Sequence, residues 1–210
     1  AIVSNRPQTT RNRIMGIYTE KDAQIVFLDT PGLHRARTRL GDYMVDVVRK
    51  SVADVDAVLL LVEPIPHIGG PEAELIRRIK ELNVPAVLVI NKIDTVEKAQ
   101  LLAVMEAYSK VHDFTAIVPI SAKRREGLEE LLDLLATFLP EGPQLFPRDA
   151  VTDQPERQIC GEIVREKLLY CLDKEIPHGT AVEVTKFSER DNGIIDLHVT
   201  IYCEKASHKG

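Results

Sequence analysis

Between Ile14 and Leu139 the chain alternates short apolar runs with stretches whose apolar residues recur every three or four positions. Three runs are nearly continuous: Ala57 to Val62, Ala86 to Ile90 and the weaker Ala116 to Ile120. Such runs predict strands covered on both faces, as in a parallel sheet with helices on either side. Ile14 to Thr19 and Gln24 to Leu28 flank the polar Glu20-Lys21-Asp22 and predict a hairpin, with a turn not of the tightest kind. Leu75, Ile76 and Ile79 share one face of a helix over Pro71 to Leu82, with proline in its first turn. Leu101, Val104, Met105 and Tyr108 mark a helix over Val96 to Val111. Leu128, Leu131, Leu132, Leu135 and Phe138 mark another, stopped by Pro140. Met44, Val47 and Val48 place one more over Leu40 to Val52. Strands alternating with helices over short connections predict a doubly wound α/β domain.

The pattern changes at Pro140. Gly142, Pro143 and Pro147 mark a linker that Asp149 to Pro155 extends. An amphipathic helix follows over Glu156 to Leu172, with Ile159, Ile163, Leu168 and Leu172 as its apolar positions. Thr180 to Phe187 and Ile194 to Cys203 then read as strands around Asp191-Asn192-Gly193, and Asn-Gly is a strong hairpin signal. A helix and a hairpin are too small to hold a core alone.

Composition narrows the class. With 44% hydrophobic and 28% charged residues, the chain is neither disordered nor a disulfide scaffold. No apolar run approaches the ~20 residues of a membrane span. The polar opening, with Arg6, Arg11 and Arg13, has no secretory pattern. Cys160, Cys171 and Cys203 form no CxxC pair; they fit reduced cytosolic thiols and read as core residues of the second region. His34, His67, His112, His178, His198 and His208 lack metal-ligand spacing. The net charge of −5 argues against a protein held on nucleic acid by bulk charge. Residues 148–210 hold nine Lys/Arg against twelve Asp/Glu, so charge gives no support for RNA binding there.

Three polar clusters follow predicted strands of one sheet. Asp29-Thr30-Pro31-Gly32 sits where open α/β sheets bind ligands, beyond the carboxyl end of a strand. An aspartate there can hold hydrated Mg²⁺ beside a phosphate, and Gly32 lets its backbone approach an anion. The plain alternative is a Pro-Gly turn. Asn91-Lys92-Ile93-Asp94 follows the second run. Its Asp94 carboxylate can accept from the ring N–H and the amine of guanine. Adenine lacks that donor pair, and a mismatch costs roughly 1–3 kcal/mol or more. Asn91 would tie loops together, and the Lys92 stem could lie along a base. The alternative is a polar turn entering a helix. Ser121-Ala122-Lys123 follows the third run, where a backbone N–H can reach a guanine carbonyl, or Ser121 can simply cap a helix.

Asn91 stands 62 positions after Asp29, and Ser121 stands 30 after Asn91. Together the three clusters resemble the third, fourth and fifth signature motifs of a Ras-like GTPase. Ile2-Val3-Ser4, Pro7-Gln8-Thr9-Thr10-Arg11, Asp29 to His34, Asn91 to Asp94 and Pro119 to Ala122 narrow this further. So do Phe146-Pro147, Thr152-Asp153, Glu162 to Lys167 and Glu175 to His178. All resemble the Era family of bacterial ribosome-assembly GTPases. The resemblance implies a Ras-like GTPase domain over residues 1–140, a linker over 141–155 and part of a smaller α+β type II KH domain over 156–210. It implies GTP/GDP and Mg²⁺ as cofactors, with Thr10 and Asp29 as metal ligands, Thr10 being favoured over Thr9. Thr30, Pro31, Gly32, Asn91, Lys92, Asp94, Ser121, Ala122 and Lys123 would bind nucleotide. Leu33 stands where Ras has its water-positioning Gln, so no catalytic residue is identifiable. Catalysis would rest on phosphate-side electrostatics, Mg²⁺ and a monovalent cation near Thr10. Arg11, Arg13, Arg35, Arg37 and Arg39 lie near the switches, as solvated surface or as phosphate and RNA contacts.

The implied partners are small-subunit ribosomal RNA near its 3′ end and the small subunit itself. The implied state is a cytoplasmic monomer with peripheral inner-membrane association. No G-x-x-x-x-G-K-S/T pattern occurs in the chain. The resemblance places that phosphate loop and the first strand ahead of Ala1. It places the RNA-clamping GxxG loop after Gly210. Without those loops, residues 1–210 are expected to hold neither triphosphate nor RNA tightly and to be inactive alone. The competing function class is a nucleotide-free scaffold docking on RNA or protein, with an adenine-nucleotide ATPase behind it.

Overall fold

The computed structural model describes residues 1–4, 9–31, 55–82, 84–172 and 179–205. The helix expected over Leu40 to Val52, together with Gly32 and Leu33, lies outside them. Contacts divide the chain into two compact units that do not follow chain order. One comprises Ala1–Ile17, Val26–Gly32 and Ala150–Gly210; the other comprises Tyr18–Ile25 and Leu33–Asp149.

The second of these units is built on a parallel sheet. Strands β3 (Val58–Val62), β4 (Ala86–Ile90) and β5 (Ala116–Pro119) lie in the order β3-β4-β5. Val58 pairs with Ala86, and Val87 with Ala116. β4 is central, and none of its five side chains is more than 2% exposed. Burial on both faces is why it reads as an unbroken apolar run. Helices α1 (Gly70–Leu82) and α2 (Lys98–Ser109) make the crossovers. Ile76, Ile79, Val104 and Tyr108 pack with Leu88 and Ile90 into one core, as the helical spacing predicts. Helix α3 (Leu128–Ala136) buries Leu131 and Leu135.

Strands β1 (Ile14–Glu20) and β2 (Ala23–Asp29) form the expected hairpin, with two corrections. The loop is only Lys21-Asp22, the tightest length, because Lys21 takes a left-handed φ of 51°. And β2 pairs with β1 alone among the described residues. Among the described residues, the strands bearing the three motifs thus fall in two sheets, β1-β2 and β3-β4-β5.

In the first unit, helix α4 (Glu156–Cys171) lies on β6 (Thr180–Glu189), which pairs antiparallel with β7 (Ile195–Cys203). A bulge falls between Val184 and Lys186, and Arg157 Nε donates to the Val184 carbonyl at 3.0 Å. Gly161 allows close approach: a Cβ there would meet Val184 at 3.3 Å. The Asn-Gly signal yields a three-residue loop in which Gly193, at φ 76°, turns the chain. The inner face of α4 differs from expectation. Ile163 is 47% exposed, while Arg165 and Leu169 are buried. Hydrophobic periodicity could not find a face whose centre is an arginine neutralised by Glu162 three residues earlier. Cys171 is likewise exposed, not core, because two residues past Leu169 the helix has turned ~200°. No disulfide joins the three cysteines.

Leu88→Ala in the centre of β4 is expected to cost about 2–5 kcal/mol of stability. Urea unfolding measures it, and a loss under about 1 kcal/mol would contradict a close-packed core at this strand.

Candidate functional site

The loops leaving β3, β4 and β5 are bound to one another by main-chain bonds. Asn91 N–H donates to Val62 O at 2.9 Å, Ile120 N–H to Ile90 O at 2.8 Å, and Ile93 N–H to Ile120 O at 3.2 Å. Asn91 adds a side-chain tie. Its Oδ1 accepts from Lys92 N–H at 2.8 Å and from Ala122 N–H at 3.0 Å. Lys92 is left-handed at φ 67°, an unfavourable backbone for a residue with a Cβ, costing of order 1–3 kcal/mol. The bond to Asn91 holds it there, and the Lys92 ammonium pairs with Glu63.

Asp94 is the middle residue of a short 3-10 turn, Ile93–Thr95. Its side chain is only 10% exposed. Ser121 Oγ donates to Asp94 Oδ1 at 2.7 Å, and Arg124 Nε lies 4.0 Å from Oδ2. The Ser121 bond holds the carboxyl below its ordinary pKa, so it is ionised at neutral pH. Ser121 is fully buried, with its N–H on Glu126 O at 3.0 Å. Gly127 closes this loop at φ 74°; a Cβ there would sit 2.6 Å from the Pro119 carbonyl. Ala122 N–H donates to Asn91, while the exposed Lys123 N–H, like that of Arg125, has no partner among the described residues. This cluster thus presents an ionised carboxylate with acceptor capacity to spare and a nearby unspent N–H.

The other unit holds a second cluster. Thr10 Oγ1 donates to Asp29 Oδ2 at 3.1 Å. Thr9 instead shares a 2.6 Å hydrogen bond with Ser4. Burial pushes the Asp29 carboxyl above its usual pKa, opposed by the Thr10 hydroxyl and the Thr30 N–H. Pro31 is fully buried. A half-buried carboxylate held by one hydroxyl is a donor set that a hard divalent cation fits, since Mg²⁺ takes one or two protein oxygens and keeps its waters. Among the described residues, no group of three or more His, Cys, Asp or Glu could hold a metal by itself.

The Elongation factor Tu GTP binding domain family matches residues 5–141. GTPase Era of Ruminiclostridium cellulolyticum is 48% identical over 210 residues, covering 100% of this chain and 70% of the relative. The chain belongs to the Era GTPase family. Two solved Era structures share its fold. Aquifex aeolicus Era, a tyrosine-to-alanine variant bound to GDP and aluminium fluoride, has a TM-score of 0.91 at 33% identity, over 99% of this chain and 71% of that one. Era bound to MgGDPNP and nucleotides 1506–1542 of 16S ribosomal RNA has 0.92 at 33%, with the same coverage. The fold is therefore that of a Ras-like GTPase domain, and the chain is a GTPase of the Era family.

Of the residues singled out in the sequence, the Era-family chain brings Asn91, Lys92, Asp94, Ser121, Ala122 and Lys123 into one cluster. Thr10, Asp29, Thr30 and Pro31 belong to the other. Glu63, the partner of Lys92, was not foreseen, since nothing in its local pattern marks it. Gly127 could have been found, as a glycine ending the charged run Lys123 to Glu126.

Ser121→Ala removes the bond that lowers the Asp94 pKa. A carboxyl held low stabilises the fold above its unfolded pKa, and that contribution is lost as pH falls through the folded value. In Ser121→Ala the Asp94 carboxyl is expected to titrate at higher pH, and acid unfolding to begin earlier. Carboxyl NMR titration and pH-dependent melts measure both.

Proposed function

We propose that this chain is the greater part of a GTP-binding and GTP-hydrolysing switch that binds small-subunit ribosomal RNA and assists assembly of the small ribosomal subunit. The observation that carries the guanine assignment is the Asp94 cluster. Its buried, ionised carboxylate is oriented by Ser121 and has room to accept the two N–H groups of a guanine edge. A backbone N–H of Ser121-Ala122-Lys123 is the donor for the guanine carbonyl; Lys123 N–H is without a partner among the described residues, while Ala122 N–H also reaches Asn91. Lys92 lies on the base, and Asn91 holds the loops. Thr10 and Asp29 are the Mg²⁺ ligands, with Thr30, Pro31 and Gly32 beside the phosphates. With leucine at position 33, no side chain there orients water, so hydrolysis is slow and the chain works as a switch. The RNA partner is supported by the RNA-bound Era at 33% identity and not by charge. The domain reading is GTPase over 1–140, linker over 141–155 and KH portion from 156. The place of action is the cytoplasm; no helix among the described residues is long and apolar enough to cross a membrane.

The test is competition for a fluorescent GDP analogue on the full-length protein. GDP is expected to displace it at least about 100-fold more effectively than ADP, and Asp94→Ala to remove most of that margin. Equal displacement by ADP points to the ATPase, and no binding at all to the nucleotide-free scaffold.

Asp29→Asn keeps an acceptor for Thr10 but removes a charge whose burial is unfavourable. A carboxyl with a raised pKa stabilises the fold only below its unfolded value, and this is lost as pH rises through the folded one. At neutral pH the variant is expected to melt at or above the wild-type temperature without Mg²⁺. Its nucleotide affinity is expected to respond far less to Mg²⁺. Calorimetry and Mg²⁺ titration read the two effects separately.

A further inference from the structure

The inner face of α4 carries an arginine at its centre, and that arginine grips the segment of Thr10. Arg165 is 5% exposed. Its Nε and Nη2 fork onto Glu162 at 3.1 and 2.6 Å, and Nη2 also donates to the Thr9 carbonyl. On the other side of Thr10, Arg11 Nη1 donates to the carbonyl of the buried Thr180 at 2.7 Å. Further upstream, Val3 N–H reaches Glu166 Oε1 at 3.0 Å. Thr10 is thus bracketed by anchors from α4 and β6, while its own hydroxyl faces Asp29.

For stability alone this is a poor arrangement. Burying a guanidinium costs several kcal/mol, and a well-packed apolar residue often serves as well. Arg165 Nη1 is buried with no hydrogen-bond partner among the described residues. Burial and Arg165 together press the Arg11 pKa down, against the pull of the Glu162 carboxylate. What the arrangement does supply is registry. Only a donor fork of this length can hold Glu162 and the Thr9 carbonyl together.

We propose that Arg165 is a positioning residue for Thr10: by fixing the Thr9 carbonyl against helix α4, it keeps the Thr10 hydroxyl on Asp29 and couples triphosphate sensing to that helix. The proposal rests on the reading of Thr10 and Asp29 as Mg²⁺ ligands. Because coupling is reciprocal, whatever displaces α4 also changes the preference for triphosphate over diphosphate.

The test measures affinities of full-length protein for GDP and for the non-hydrolysable analogue GDPNP, with and without Mg²⁺. Arg165→Lys keeps the charge but cannot fork. It is expected to leave GDP affinity within about twofold and to lower the Mg²⁺-dependent preference for GDPNP about fivefold or more. It is expected to add nothing further to Thr10→Ala in the double variant. An unchanged preference, or full additivity, overturns the proposal while the metal reading stands. If Thr10→Ala itself leaves the preference unchanged, the metal reading fails and the proposal falls with it. Should Arg165→Lys not fold, Glu162→Gln loosens the same fork. A loss in the same direction supports the proposal, and none overturns it.

Discussion

Strand β4 has no solvent-facing side and no open edge. Parallel neighbours occupy both edges, and all five side chains are buried. The chain can therefore reach solvent only at the two ends of the strand, and at the carboxyl end it emerges as Asn91. Peptide groups just beyond a buried sheet cannot stay unpaired. They are satisfied across the three loops, from Asn91 to Val62 and from Ile93 to Ile120. That cross-bonding brings Asp94 to Ser121 although 27 residues separate them. The polar cluster is held in place through the apolar strand beneath it.

The two aspartates show how environment pushes one residue type in two directions. Asp94 accepts from a buried hydroxyl and is held ionised, suited to a neutral ligand edge rich in N–H groups. Asp29 is pushed the other way by burial.

Much of this could be read before any coordinates. Parallel strands announce themselves as continuous apolar runs, since both faces are covered, and the helices of the sheet unit show the expected stripes. Asn91 to Asp94 and Ser121 to Lys123 were recognisable from residue type and spacing. Other features were hidden for definite reasons. Which backbone N–H stays available depends on where Asn91 Oδ1 points, a choice between adjacent residues that no pattern encodes. The α4 face was misread because a buried arginine with its carboxylate looks like solvated charge.

Gly161 gives that arginine a further property. With nothing but hydrogen between the helix backbone and the Val184 side chain, α4 comes closer to β6 at Gly161 than a residue with a Cβ would allow without Val184 giving way. Such contact fixes a height, as a machined face does. Arg165 stands about one turn along, and its reach toward Thr9 is measured from that face. Hydrogen bonds lose strength over tenths of an ångström, so this glycine sets the tolerance of a contact in which it takes no part. A single added methyl would act as a shim: the helix would stay a helix, the strand a strand, and only the calibration between them would be lost.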